Sequence, residues 1–333
     1  MEYFIGIDVS KSVLDLAVLA EGRILLEERI DNNAKSVRKF LRELQSNTGL
    51  AINEIVACME HTGIYNAHAL EVLWKKGIRI CMESAVRIKH SQGMQRGKTD
   101  KIDALRIAQY AFKNRQDLLF WKPQRLTLQK IQTLLSLRER FIKTKVQLDV
   151  PVKESVGFVD ESVIRNLSGH NGRVIRQINK EIKAVDCQLQ QLINQDSSIS
   201  VQVDQATSVP GIGPITALNM IITTGEFKKI TQPKKYACYA GVAPFEHRSG
   251  SSIRGKSRVS KMANMSMKRL LHMSAMAAIR YNPELKAFYA RKTAEGKNKM
   301  SVINAVRNKL ISRVFACINA GRIYQKNYSN ALA

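Results

Sequence analysis

Tyr3-Phe4-Ile5-Gly6-Ile7-Asp8-Val9 is an apolar run of strand length with an aspartate next to its end, and two more runs follow it, Leu14 to Leu19 and Arg23 to Ile30. The links Val9-Ser10-Lys11-Ser12 and Glu21-Gly22 leave room only for tight turns, so the three runs predict an antiparallel meander. Outward from it, the pattern predicts a helix over about Lys35 to Gln45 and a strand over Glu54 to Glu60. A helix over Asn66 to Lys76, stopped by Gly77, and a strand over Ile78 to Met82 come next. Three strands followed by alternating helix and strand is the order of an RNase H-like sheet of the α/β class. A helix carrying Asp100 to Phe112 closes this first domain, which is placed at residues 1–120.

From Leu126 to Gln195 the pattern turns helical and polar, with a break expected around Pro151 to Gly172. Ile175, Ile178, Ile182, Val185, Leu189 and Leu192 recur in alternating steps of three and four, the a/d seam of a coiled coil. This predicts a helical coiled-coil connector at residues 121–204, with a partner chain as the expected cover for the seam, against packing within its own domain. The third segment, residues 205–333, opens on Pro210-Gly211-Ile212-Gly213-Pro214 ahead of an apolar helical run, Ile215 to Ile222. The glycines resemble a helix-hairpin-helix turn, where backbone amides approach a phosphate, and suit a plain interhelical turn equally. The remainder reads as mostly helical, with Met300 to Ala320 amphipathic around Arg307, Lys309 and Arg313.

The 333 residues hold 53 Lys and Arg against 28 Asp and Glu, a net charge of +25. Residues 205–333 carry 22 of the basic and four of the acidic residues, so most of the surplus sits there. A surplus this concentrated implies a polyanionic partner, DNA first. No apolar run approaches the ~18 residues of a membrane span, and the start lacks a basic segment ahead of a long apolar one, so a cytoplasmic protein without membrane attachment is expected. Five dispersed cysteines without a Cys-x-x-Cys pair argue against a disulfide framework or structural zinc.

Asp8 ends the first strand and Glu60 the fourth, so both carboxylates are expected at one end of the sheet. Asp100 and Asp103 lie one helical turn apart and share a face. Singly, each is an ordinary surface or capping residue; together they form a hard-oxygen set suited to Mg²⁺ or Mn²⁺, as phosphoryl transfer on DNA requires. The segment Glu246 to Arg258 is small, flexible and basic, and reads as a phosphate-handling loop. Arg248, Arg254, Lys256, Arg258 and Lys261 are its candidate phosphate contacts. Chemistry alone leaves a plain linker open and does not choose among Ser249, Ser251, Ser252 and Ser257 as nucleophile. His61 and His68 are not spaced as a ligand pair and read as structural.

Five ordered motifs also carry a resemblance. Ile5-Gly6-Ile7-Asp8-Val9-Ser10-Lys11, Glu60-His61-Thr62-Gly63-Ile64-Tyr65, Lys98-Thr99-Asp100-Lys101-Ile102-Asp103-Ala104, Pro210-Gly211-Ile212-Gly213 and Ser249-Gly250-Ser251-Ser252-Ile253-Arg254-Gly255 resemble those of the DEDD transposases. That family includes the Piv DNA invertases and the bridge-RNA-guided insertion-sequence recombinases, and the similarity runs from about residue 3 to 325. It implies a RuvC-like N-terminal domain, a coiled-coil connector and a C-terminal transposase domain. It also implies that Asp8, Glu60, Asp100 and Asp103 bind metal and that Ser249 forms a phosphoserine link to DNA. Action as a homo-oligomer, dimer to tetramer, with sites shared between subunits is implied too, as is a structured guide RNA in many members. His61 departs from the pattern, where a smaller residue is usual. The competing expectation is a hydrolytic RuvC-like nuclease or junction resolvase, which has no need of the Ser249 segment. An actin-like ATPase is disfavoured because no second Asp-x-Gly phosphate loop follows Gly6-Ile7-Asp8-Val9-Ser10-Lys11. A catalytically silent DNA-binding protein would not need the four carboxylates.

Overall fold

The computed structural model describes residues 2–91, 100–249, 253–260 and 262–326, with 246–249 and 253–258 described by backbone alone. It divides into two compact units, Met1–Pro123 and Gln124–Ala333. In the first, β1 (Tyr3–Val9), β2 (Val13–Ala20) and β3 (Arg23–Asp31) form an antiparallel meander. Then α1 (Ala34–Thr48), β4 (Ile55–Glu60), α2 (Ala67–Lys75), β5 (Arg79–Glu83), α3 (Ala85–His90) and α4 (Asp100–Lys113) follow. The sheet runs β3-β2-β1-β4-β5, with β4 parallel to β1 and β5 parallel to β4.

Local chemistry sets these boundaries. The Asn33 side chain accepts the Ser36 amide at the start of α1, and Gly49 takes the left-handed conformation at its end. Val37, Phe40, Leu41 and Leu44 line its buried stripe. Alternation along the strands gives the sheet two apolar faces. Ile5, Ile7, Leu14, Leu16, Ala57 and Met59 pack with α1 and α2, whereas Phe4, Ala17, Val56, Cys58 and Cys81 pack with α4.

The second unit starts with α5 (Leu126–Glu154) and α6 (Glu161–Gln195), followed by α7 (Ser197–Thr207), α8 (Pro214–Thr224) and α9 (Pro233–Tyr239). A two-stranded hairpin, β6 (Phe245–Ser249) and β7 (Ile253–Arg258), precedes α10 (Met265–Tyr281), α11 (Pro283–Ala294) and α12 (Lys299–Asn319). One core joins Leu128 and Ile131 of α5, Leu189 and Ile193 of α6, and Val306, Leu310 and Val314 of α12.

Three expectations are corrected here. The seam of α6 faces α5 of the same chain: Ile178, Val185 and Leu189 are buried, and Arg138 reaches Asp186 at 2.7 Å while Lys145 reaches Asn179 at 3.0 Å. A heptad stripe requires a cover but does not say which helix supplies it, and here the antiparallel neighbour does. The break between the long helices is confined to residues 155–160: Pro151 gives up its own amide hydrogen bond but does so in the last turn of α5, with only Val152 to Glu154 left to follow it, and Gly169 and Gly172 stay helical. The segment from Glu246 to Arg258, read as a loop, carries the β6–β7 hairpin. Between α7 and α8, Gly211 has φ +95° and a Cβ there would lie 2.6 Å from the Ser274 carbonyl oxygen of α10, so both its conformation and its contact demand glycine. Among the described residues no helix is long and apolar enough to cross a membrane.

Candidate active site

The site begins as a row across the sheet. Asp8 of β1 pairs with Asp15 of β2, and Asp15 pairs with Arg29 of β3. On the other side Ile7 pairs with Met59, so Glu60 follows one step on beside Asp8, and Glu60 pairs with Glu83 of β5. Residues opposed in a ladder share a face. Here it is the α4 face, since Phe4 and Cys58, in phase with Asp8 and Glu60, pack with α4.

Gly6 determines how close α4 comes. A Cβ at Gly6 would meet the Ala104 carbonyl oxygen at 2.1 Å and the Ala108 amide nitrogen at 2.3 Å, so the helix backbone rests on β1 where there is no side chain. Ala104 follows Asp103, and Asp100 lies one turn earlier, so this contact sets the first turn of α4 against the strand that carries Asp8. The electrostatics report the result. Burial first, then Asp103, Asp100, Glu60 and Asp15, push the Asp8 carboxyl up to about 6 from the ordinary 3.8.

Arginines hold the outer members. Arg29 donates to both Asp15 oxygens at 2.9 Å and to Asp100 at 3.2 Å, and Arg106 pairs with Asp103 at 2.8 Å. Glu83 accepts from Arg87 at 3.0 Å and from the Tyr110 hydroxyl at 2.9 Å. Among the described residues no three acidic, His or Cys side chains converge tightly enough to hold a metal ion as they stand. The donor set nonetheless fits a hard divalent cation: carboxylate oxygens whose mutual repulsion is felt at Asp8.

The turn after Glu60 is built by two asparagines. Asn66, fully buried, donates to the Glu60 carbonyl at 2.8 Å and accepts from the Thr62 amide and hydroxyl, each at 2.8 Å. Asn32 donates to the carbonyls of Ser10, at 2.7 Å, and Tyr65, at 3.0 Å, which ties the β1–β2 connection to this turn. His61 and His68 are exposed. Sequence reasoning named Asp8, Glu60, Asp100 and Asp103 but missed Asp15, Glu83, Arg29 and Gly6. The available signal was Asp15, a charge inside the apolar run Val13 to Ala20, which the hairpin register sets opposite Asp8.

In the second unit Ser249 is the last residue of β6, paired with Ile253, and Arg248 is paired with Arg254 one rung back. Lys256 and Arg258 lie further along β7. Ser251, Ser252 and Lys261, with Lys98 and Thr99 of the third motif, lie outside the described residues.

Residues 5–154 match a family model described as Transposase, of the DEDD IS110 type, and residues 203–290 match one described as Transposase IS116/IS110/IS902 family. A pilin gene-inverting protein of Moraxella lacunata is 30% identical over 233 residues, covering 69% of each chain. The chain belongs to the IS110 transposase family. As a member it is a DNA recombinase by class. A second pilin gene-inverting protein, from Moraxella bovis, is 26% identical across 97% of this chain and 98% of its own length. A solved structure of Thermus thermophilus RuvC in complex with a Holliday junction substrate aligns with 36% of the chain and 100% of itself, at 14% identity and a TM-score of 0.29.

Proposed function

We propose that this IS110-family chain cuts and rejoins DNA, as a transposase or site-specific invertase, through a serine-linked intermediate assisted by carboxylate-bound Mg²⁺ or Mn²⁺. The observation that carries the metal reading is the geometry around Asp8: Glu60 lies beside it on the paired strand, and the close contact at Gly6 sets the first turn of α4, with Asp100 and Asp103, against the same strand, so that burial and these carboxylates raise the Asp8 carboxyl. Asp8, Glu60, Asp100 and Asp103 would hold the ion. When bound, it supplies charge neutralisation at the scissile phosphate. The sheet order β3-β2-β1-β4-β5, with three antiparallel strands and two parallel ones, supports an RNase H-like, RuvC-like reading of the first unit.

The chain's own residues perform the transfer. The Ser249 hydroxyl loses its proton as its oxygen bonds to phosphorus, while the bond from phosphorus to the deoxyribose oxygen breaks and that oxygen takes up a proton; an incoming strand hydroxyl later loses its proton in the reverse step, and the freed serine oxygen is reprotonated. The phosphodiester energy is conserved in the phosphoserine, so joining needs no ATP. Arg248, Arg254, Lys256, Arg258 and Lys261 grip flanking phosphates. In this reading residues 1–120 are the catalytic domain, 121–204 the coiled-coil connector and 205–333 the transposase domain. A homo-oligomer, dimer to tetramer, is supported by apolar side chains left exposed toward the turn joining α5 and α6, with Phe158 at 90% and Leu167 at 45%. The net charge of +25 accommodates a structured guide RNA as well as DNA, in a cytoplasmic setting.

The test is strand cleavage by Asp8→Asn, Glu60→Gln, Asp100→Asn and Asp103→Asn with Mg²⁺. Each is expected to lose more than about 100-fold in cleavage, beyond what residues one step behind a metal cost, while keeping DNA affinity. Wild-type rates in any two variants would remove the metal assignment.

A further inference from the structure

Asp15 is the one carboxylate of the row that is nearly fully buried, 2% exposed, and it stands directly opposite Asp8. Like charges opposed across a ladder destabilise a sheet, and a buried carboxylate requires a partner. Arg29 provides it, with Nε and Nη2 donating to the two Asp15 oxygens, both at 2.9 Å, in a bidentate fork. The same Nη2 donates to Asp100 Oδ2 at 3.2 Å. One guanidinium thus joins β3, β2 and the first turn of α4. The Asp100 side chain is 63% exposed, so packing alone does not orient it and this contact does.

We propose that Arg29 is a positioning residue of the carboxylate site: anchored by Asp15, it turns Asp100 toward Asp8, and the chain's affinity for a divalent ion depends on it. Arg29 has this role only within the metal reading given above. Groups one step behind metal ligands fix ligand orientation, and their loss typically weakens metal binding by about 10–100-fold. A cation so close to a cation site would also repel the ion. That repulsion is small here, because the bidentate pair with Asp15 is neutral as a unit, whereas the orienting bond to Asp100 persists.

The experiment measures Mn²⁺ binding to the full chain by electron paramagnetic resonance, with circular dichroism and melting as controls for folding. Arg29→Gln alone strands the buried Asp15, so the first variant is the double substitution Arg29→Gln with Asp15→Asn, which keeps the net charge and a neutral hydrogen-bonding pair. The second is Arg29→Lys, which keeps the charge but lacks the fork that spans two carboxylates. Both are expected to bind Mn²⁺ about 10–100-fold more weakly than wild type, with metal-free DNA affinity unchanged. Wild-type or tighter Mn²⁺ affinity in either folded variant overturns the positioning role. Absence of saturable Mn²⁺ binding by the wild type overturns the metal reading itself, and the role with it, so the two failures are distinct.

Discussion

At the residue scale, Asp8 sits where its own charge is unwelcome. Burial and the neighbouring Asp103, Asp100, Glu60 and Asp15 raise its carboxyl to about 6, against 3.8 in the unfolded chain. The folded state therefore holds a proton that the unfolded state has released. The resulting stability is fully present below pH 3.8 and is lost as pH rises through about 6, where Asp8 ionises among like charges. In chelator at pH 7.5, Asp8→Asn is expected to melt above wild type, and the difference should shrink toward pH 5. A lower melting point for Asp8→Asn at pH 7.5 would contradict the assigned electrostatics. Protons and a divalent ion compete for the same oxygens, so metal-dependent cleavage is expected to fall as pH drops through about 6. Asp8 and Glu60 stand out in the sequence because each lies at or next to the end of an apolar run. Asp15 is a charge inside an otherwise apolar run, but its bearing on the site shows only once the register with β1 sets it opposite Asp8. Arg29 is further hidden, since its partners lie 14 and 71 residues away.

At the element scale, the contact of α4 with β1 aligns the site. Gly6→Ala would drive a methyl into the Ala104 and Ala108 backbone, which unlike a flexible side chain cannot swing aside. A loss of about 1–3 kcal/mol is expected in urea unfolding, together with reduced cleavage as the first turn of α4 lifts from the sheet. Wild-type stability in Gly6→Ala would mean that the helix does not sit this close. The meander and the β4–α2–β5 run were legible because apolar alternation and short turns leave few other arrangements. The β6–β7 hairpin was not, because its strands are short, polar and basic and give little period-two signal. The seam of α6 was legible as a stripe needing cover, but a heptad does not distinguish a partner chain from α5, and Arg138 with Asp186 and Lys145 with Asn179 show the intrachain answer.

At the scale of the whole molecule, the charge of +25 is the property most directly tied to DNA. Each phosphate neutralised adds about 0.9 to the log–log salt slope on duplex DNA, so a chain with this surplus is expected to show a slope of magnitude about 5 or more. A slope near one would mean that the basic surface does not face DNA. Composition showed that charge plainly, but not which hydroxyl reacts, because four serines share the segment from Glu246 to Arg258 and only the motif match singles out Ser249. The claim that the chain recombines DNA through that serine predicts a covalent product that a hydrolytic nuclease never makes. The full chain is incubated with labelled DNA and Mg²⁺, denatured and separated on a gel. Wild type is expected to give a DNA-linked protein band and Ser249→Ala none, with Ser251→Ala and Ser252→Ala retaining it. An undiminished band in Ser249→Ala, or efficient nicking by that variant without any band, would contradict the account.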